Sequence, residues 1–192
     1  MKCKTALSCL LLIITSSSID EFCNTSDIKI APIIHSIVKI TLMCNNCRAL
    51  IVTIHQPNYF PYPAFFQKVS LSDVYVILDK TQFEFDITNR NKIITTEGSW
   101  VRISVPIKKG QKFFEIRNVE INNDLLWAEN NWNLIYKSYN DYPFFDLYKT
   151  FLDSTYKKRW NLIFDLNFQT LKKVFDWLNI KTEIILESEL NV

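Results

Sequence analysis

The sequence predicts an α/β protein whose mixed sheet is opened by a β-α-β unit and whose C-terminal half is helical. Two stretches carry that expectation. Ile51–Asp79, IVTIHQPNYFPYPAFFQKVSLSDVYVILD, reads as strand, polar loop, short helix and second strand. From Asn123 onward the apolar residues leave the alternating pattern of strands for the three-and-four spacing of helices. A β-α-β connection lays two parallel strands side by side. In open α/β sheets, ligands sit beyond the carboxyl ends of such strands.

Composition narrows the function classes. The 192-residue chain is 48% hydrophobic and 14% aromatic, the make-up of a globular domain with a real core. A net charge of +2 supplies no argument for nucleic acid or a membrane surface as partner. The two glycines, Gly98 and Gly110, are too few for a GxGxxG or Walker-type phosphate loop. No GxSxG, HExxH or paired CxxC occurs, so serine-hydrolase and zinc chemistry have no support, and no cofactor is indicated.

Residues 1–50 share no composition logic with the rest and are read as an unrelated leader. Lys2 and Lys4, the apolar stretch Ala6–Thr15 and Ser16–Ser18 have the layout of a secretory signal peptide, too short to span a membrane. The favoured reading is a start codon set too early, with Met43 as the natural start and a cytoplasmic protein; a signal peptide, and so a secreted protein, is the competitor. All five cysteines (Cys3, Cys9, Cys23, Cys44, Cys47) lie in this segment, so residues 51–192 use neither disulfides nor thiol chemistry. Cys44 and Cys47 have CxxC spacing with only His35 nearby, which is chance spacing rather than a metal site.

The elements follow in order. Ile51–Ile54 is a β-branched strand, and His55–Pro63 is a loop with three prolines. Pro63–Val69 is a helix with Ala64, Phe65, Phe66 and Val69 on one face, and Val74–Leu78 is a buried strand ending in Asp79. Phe83, Phe85 and Ile87 alternate with polar residues and predict a half-exposed strand. Lys92–Thr95 and Trp100–Val105 flank Thr96-Glu97-Gly98-Ser99 as a hairpin that Pro106 ends. Lys108–Lys112 is a basic loop, and Phe113–Ile121 alternates as another strand. Asp124 caps a helix to Tyr139 with Leu125 inward; Pro143 opens a second helix with Phe144, Leu147, Phe151 and Leu152 inward. A third helix covers Trp160–Leu178 with Asn179 as its C-cap, and Glu183–Leu186 returns as a strand.

The pieces IHQPNYFPYPAFF, SDVYVILDKTQF, NRNKI, WVRISVPIKKG, Trp127 followed by Pro143-Phe144-Phe145, and the tail DLN…LNIKTEI…SEL stand in an order that resembles the WbqC-like family. Members open with a strand and an HQPxYLPWxGYF loop, then a DVFVxLD strand, NRNxI and a set of helices. The resemblance covers about Ile51–Leu190. It implies bacterial surface-polysaccharide (O-antigen) biosynthesis, in which some members are described as glycine or amino-acid transferases acting on sugars. Three departures stand out. Tyr62-Pro63-Ala64 replaces the family's Trp-x-Gly, and Asn130-Asn131 stand where Lys-His is often found. Members also continue past SEL, so the chain reads as a truncated N-terminal portion.

Single residues carry the candidate chemistry. His55 at a strand end serves as general base or oxyanion donor. Asp79 orients His55, binds a divalent ion or caps a turn. Gln56, Asn58, Tyr59, Gln82, Asn89, Arg90 and Asn91 form the candidate substrate-binding set, with Arg90 gripping a phosphate or carboxylate in bidentate fashion. The expected ligand is a sugar or nucleotide-sugar, with no nucleic acid and no membrane span; Tyr59, Phe60 and Tyr62 offer stacking faces. The alternative is a truncated fragment or binding module without catalysis.

Overall fold

A computed structural model of the chain describes residues 28–30, 40–42 and 50–190. The leader features, from the apolar stretch at Ala6–Thr15 to His35, Met43 and the Cys44–Cys47 pair, lie outside the described residues. The chain divides into two compact units. One holds residues up to Gln56, Tyr62–Asp79 and the chain from Asn179; the other holds Pro57–Pro61 and Lys80–Leu178.

The first unit is a five-stranded mixed sheet. Its strands are β1 (Ile28–Ile30), β2 (Ile40–Leu42), β3 (Leu50–His55), β4 (Val74–Ile77) and β7 (Glu183–Leu186), in the spatial order β1-β2-β3-β4-β7. β1, β2 and β3 pair antiparallel, whereas β3, β4 and β7 run parallel, with Val52 opposite Val74 and His55 opposite Ile77. The predicted β-α-β unit is therefore present, its crossover being helix α1 (Pro63–Ser70). Pro63 suits the first helical position because its missing N–H has no partner there anyway. Phe65, Phe66 and Val69 turn inward from α1. All four residues of β4 are buried, as befits a strand with parallel neighbours on both sides. Polar clamps fix the register: Asp73 Oδ2 accepts the Ile51 N–H at 2.9 Å, and the Thr53 and Ser72 hydroxyls meet at 2.6 Å.

The second unit combines a hairpin, β5 (Arg90–Ile94) with β6 (Trp100–Ser104), and helices α2 (Trp127–Tyr139), α3 (Phe145–Lys157) and α4 (Ile163–Trp177). Its core joins Tyr59, Phe83, Ile93, Ile103, Val105, Ile116, Trp127, Ile135, Tyr156, Ile163 and Leu166. The hairpin closes through Thr95–Ser99, where Gly98 takes a positive φ of +77°.

Five expectations need correction. Phe83–Ile87 is not a strand. Asp86 Oδ1 accepts the Thr88 N–H at 3.0 Å and Asp86 O accepts from Asn89, so the segment folds into turns by bonding to itself. The first hairpin strand, expected from Lys92, begins two residues earlier, at Arg90. Phe113–Ile121 holds a 3-10 turn, Ile116–Asn118, between isolated bridges; Ile116, Val119 and Ile121 plug the core without a ladder partner, while Phe113 and Phe114 are exposed. Asp124 caps nothing: its own N–H is taken by Asn122 Oδ1, α2 starts at Trp127, and Leu125 is exposed. In α3 the inward face is Phe145, Thr155 and Tyr156, while Phe144 and Leu147 are 73% and 69% exposed. Phe144 itself adopts a left-handed φ of 70°, so the helix begins one residue late. Asn179, by contrast, takes the left-handed conformation (φ 52°) that the end of α4 calls for.

Candidate functional site

His55 is the last residue of β3, at the carboxyl end of the parallel pair. Its carbonyl accepts the Leu78 N–H at 3.0 Å, which draws the ends of β3 and β4 together. Its Nδ1 lies 2.9 Å from the Gln56 carbonyl. A carbonyl only accepts, so Nδ1 is the donor in this bond. The Phe65 ring meets the imidazole edge to face at 5.5 Å and fixes its plane. Asp79 is buried just past β4, and its Oδ1 accepts the Ser188 N–H at 2.9 Å, capping the 3-10 turn Glu187–Glu189.

In the second unit, the segment Pro57–Pro61 is held by amides. Tyr59 N–H donates to Ile87 O at 2.9 Å. Asn91 Nδ2 donates to the Tyr59 carbonyl at 3.1 Å and also to the Phe60 carbonyl. Asn167, deep in α4, donates to Pro57 O at 3.1 Å and Thr88 O at 2.8 Å. Asn89 is buried and donates to Val105 O at 2.9 Å. The Tyr59 hydroxyl meets that of Tyr156 at 2.6 Å and accepts from Asn131 Nδ2 at 3.2 Å. Burial pushes both tyrosine pKa values up, so both hydroxyls stay protonated. Asn131, standing in the family's Lys-His position, is a structural bracket that also donates to Ser104 O.

Several cavities open in this unit, one of about 520 Å³ running along Lys158, Trp160, Phe168 and Lys172. Another, about 500 Å³, is lined by aromatic rings, among them Phe60, Tyr139, Tyr142, Phe145, Tyr148 and Trp177. Volume and lining match those of a small-molecule pocket. Phe60 (φ 49°), which lines this cavity, and Phe144, next to its wall residues Pro143 and Phe145, are two of the three non-glycine residues with positive φ among the described residues. Such strain gathers where a ligand surface is shaped. A third cavity, about 370 Å³, is lined by Phe85, Asp86, Ile87, Arg90, Asn91, Lys92 and Arg102. Arg90 Nη1 donates to the Phe85 carbonyl at 3.2 Å, with its guanidinium 5.4 Å from the Phe85 ring.

The expected residues thus fall into distinct settings. His55, Gln56 and Asp79 belong to the sheet unit; Asn58, Tyr59, Gln82, Asn89, Arg90 and Asn91 belong to the other. Asn58, Tyr59 and Asn89 are buried, whereas Arg90 and Asn91 line the third cavity. Gln82 is exposed and reaches Phe113 O at 3.3 Å. Lys108 of the basic loop is paired with Glu120 at 2.5 Å. Sequence reasoning missed Asn131, Tyr156 and Asn167, whose partners lie far off in sequence. It also missed Lys92 and Arg102, which only the hairpin register brings together. Among the described residues, no group of three His, Cys, Asp or Glu side chains is placed to hold a metal, and no helix is long and apolar enough to cross a membrane.

No solved structure matches the chain. The chain is 29% identical over 137 residues to a Mycobacterium tuberculosis protein described as "Uncharacterized protein Rv1507c", a match covering 69% of this chain and 58% of that protein. It therefore spans less than two thirds of that relative's length. The model of the WbqC-like protein family matches residues 56–192, from the residue after His55 through these cavities and β7. The chain belongs to the WbqC-like protein family.

Proposed function

We propose that the chain takes part in bacterial surface-polysaccharide (O-antigen) biosynthesis, transferring glycine or another acyl group to an amino sugar. The observation that carries the proposal is the aromatic cavity of the second unit. Ring faces such as those of Phe60, Tyr148 and Trp177 suit the apolar face of a sugar, and Tyr139 and Tyr142 supply hydroxyls at its wall. In the reaction, the sugar amine adds to the acyl carbon of an activated donor. The His55 imidazole takes the proton that the nitrogen loses, and the donor's leaving group departs with the bonding electrons. Asp79 acts as a positioning residue, holding the chain ends around β4 and β7 through Ser188. Arg90 and Asn91 hold the activated substrate, with Asn58, Tyr59, Gln82 and Asn89 of the same unit shaping its surroundings. The protein works in the cytoplasm, where activated sugars are made.

A second reading, a sugar- or nucleotide-binding module without catalysis, draws on Asn131. Its amide is spent on Tyr59 and Ser104 and has no proton to exchange.

The test is product formation, followed by mass spectrometry, from an amino-sugar nucleotide and an activated glycyl donor. His55→Ala is expected to abolish turnover with the thermal midpoint unmoved. Turnover equal to the parent's would end the role of His55, and ligand binding without turnover in the parent would favour the module.

A further inference from the structure

We propose that the outward face of the β5–β6 hairpin binds the diphosphate of a nucleotide-linked ligand, with Arg90, Lys92 and Arg102 as its three cationic contacts. The inference rests on the reading of an activated, nucleotide-linked substrate given above and names where its phosphates dock.

The placement follows from strand geometry. Side chains alternate across a strand, and Ile93 and Ile103 are buried in the core. Arg90 and Lys92 on β5 and Arg102 on β6 therefore share the opposite, outward face. The register puts Lys92 directly across from Arg102 and Arg90 across from Ser104. Residues two apart on one strand stand about 7 Å apart, and directly paired side chains about 5 Å. The three cations thus form a triangle wide enough for two linked phosphates. All three line the 370 Å³ cavity.

Charge makes this arrangement unusual for a structural hairpin. Like charges directly opposite each other in an antiparallel pair repel. None of the ion pairs among the described residues includes Arg90, Lys92 or Arg102. The one carboxylate in the cavity wall, Asp86, already accepts the Thr88 N–H. Two of the cations are nevertheless held in place: Arg90 by the Phe85 carbonyl and ring, and Lys92 by the Trp100 ring 4.0 Å from its Nζ. A dianionic or trianionic group removes the repulsion without reordering these side chains. Phe85 and Trp100 are both exposed and provide flat faces beside it for a base. Three cations confined to one hollow, on a chain of net charge +2, fit a small anion better than a nucleic-acid strand.

The test is calorimetric titration of the full chain with inorganic pyrophosphate, UDP and uridine. Pyrophosphate and UDP are expected to bind and uridine to bind at least tenfold more weakly. Arg102→Gln and the double variant Lys92→Gln/Arg102→Gln are expected to weaken UDP at least tenfold while the thermal midpoint holds, since both side chains are exposed. Undetectable binding of both phosphates at millimolar concentration, or UDP affinity unchanged in the double variant, would overturn the site. So would a single-stranded oligonucleotide that displaces UDP and tightens with length. UDP binding that depends on Arg102 in a protein showing no amino-sugar transfer would leave the site standing and remove the transferase reading. Transfer with KM unchanged in Arg102→Gln would do the reverse.

Discussion

The hydroxyls of Tyr59 and Tyr156 meet at 2.6 Å inside the second unit, 97 residues apart in sequence. Asn131 donates to the Tyr59 oxygen, and either hydroxyl can donate to the other. Tyr156→Phe leaves the buried Tyr59 hydroxyl with the Asn131 bond alone and is expected to cost about 1–3 kcal/mol of stability. Tyr59→Phe removes both bonds and leaves the buried Tyr156 hydroxyl without its partner, so it should cost at least as much. Urea unfolding of both single variants and the double variant measures the coupling.

The same pair sets an alkaline limit. Burial raises both folded pKa values above the ordinary 10.0. Below pH 10 the protonated hydroxyls of folded and unfolded chain are equivalent, and their contribution is fully present. Above it the unfolded tyrosines lose protons that the folded ones keep, and stability falls as pH rises toward the folded pKa values. Unfolding midpoints between pH 8 and 11 should drop at the upper end, and less steeply in the Tyr59→Phe/Tyr156→Phe variant. Equal slopes would place the alkaline sensitivity elsewhere.

Asn167 joins two carbonyls with one buried amide. Asn167→Leu keeps most of the volume and removes both donors, so Pro57 O and Thr88 O lose their partner. A loss of about 2–5 kcal/mol is expected in denaturant titration. A loss under 1 kcal/mol would show that water replaces the amide.

How far the sequence foretold these features depends on how local their causes are. The β-α-β unit was legible because β-branched runs, Pro63 and a helical face lie within thirty residues. Phe113–Ile121 was misread because alternation marks burial on one side, which a plug of isolated bridges satisfies as well as a ladder. In α3 the expected face was rotated from the true one by about one residue, or 100°; nothing in Pro143-Phe144-Phe145 announces that Phe144 turns left-handed. His55 at a strand end was visible. Asn167, 110 residues from the carbonyl it holds, and the Lys92–Arg102 pairing exist only once the chain has folded.

Two opposite substitutions probe backbone strain. A Cβ added at Gly98 would meet nothing within 4 Å, so Gly98→Ala isolates the cost of its positive φ, about 1 kcal/mol. Phe144 is largely exposed with φ 70°, so Phe144→Gly should hold stability level or raise it by up to about 1 kcal/mol. Thermal melts read both. A marked drop for Phe144→Gly would mean that the ring's contacts outweigh its backbone.

Asp79 separates capping from chemistry. Asp79→Asn retains an oxygen for the Ser188 N–H and should leave the melt almost unchanged, whereas Asp79→Ala should cost about 1 kcal/mol. Transfer activity that survives Asp79→Asn and falls with Asp79→Ala would identify a positioning role. Activity lost in both would assign work to the negative charge.

Asn91 contributes to the walls of both the aromatic and the basic cavity while its amide fastens the Tyr59 and Phe60 carbonyls. The two hollows therefore share a partition one side chain thick. Neither can be enlarged from that side at the other's leave: any residue that replaces Asn91 must at once refit the aromatic pocket, the basic pocket and the loop between the prolines. Selection for a new ligand in one would have to proceed from the far walls, Trp177 on one side or Arg102 on the other, leaving the partition as the feature least free to vary.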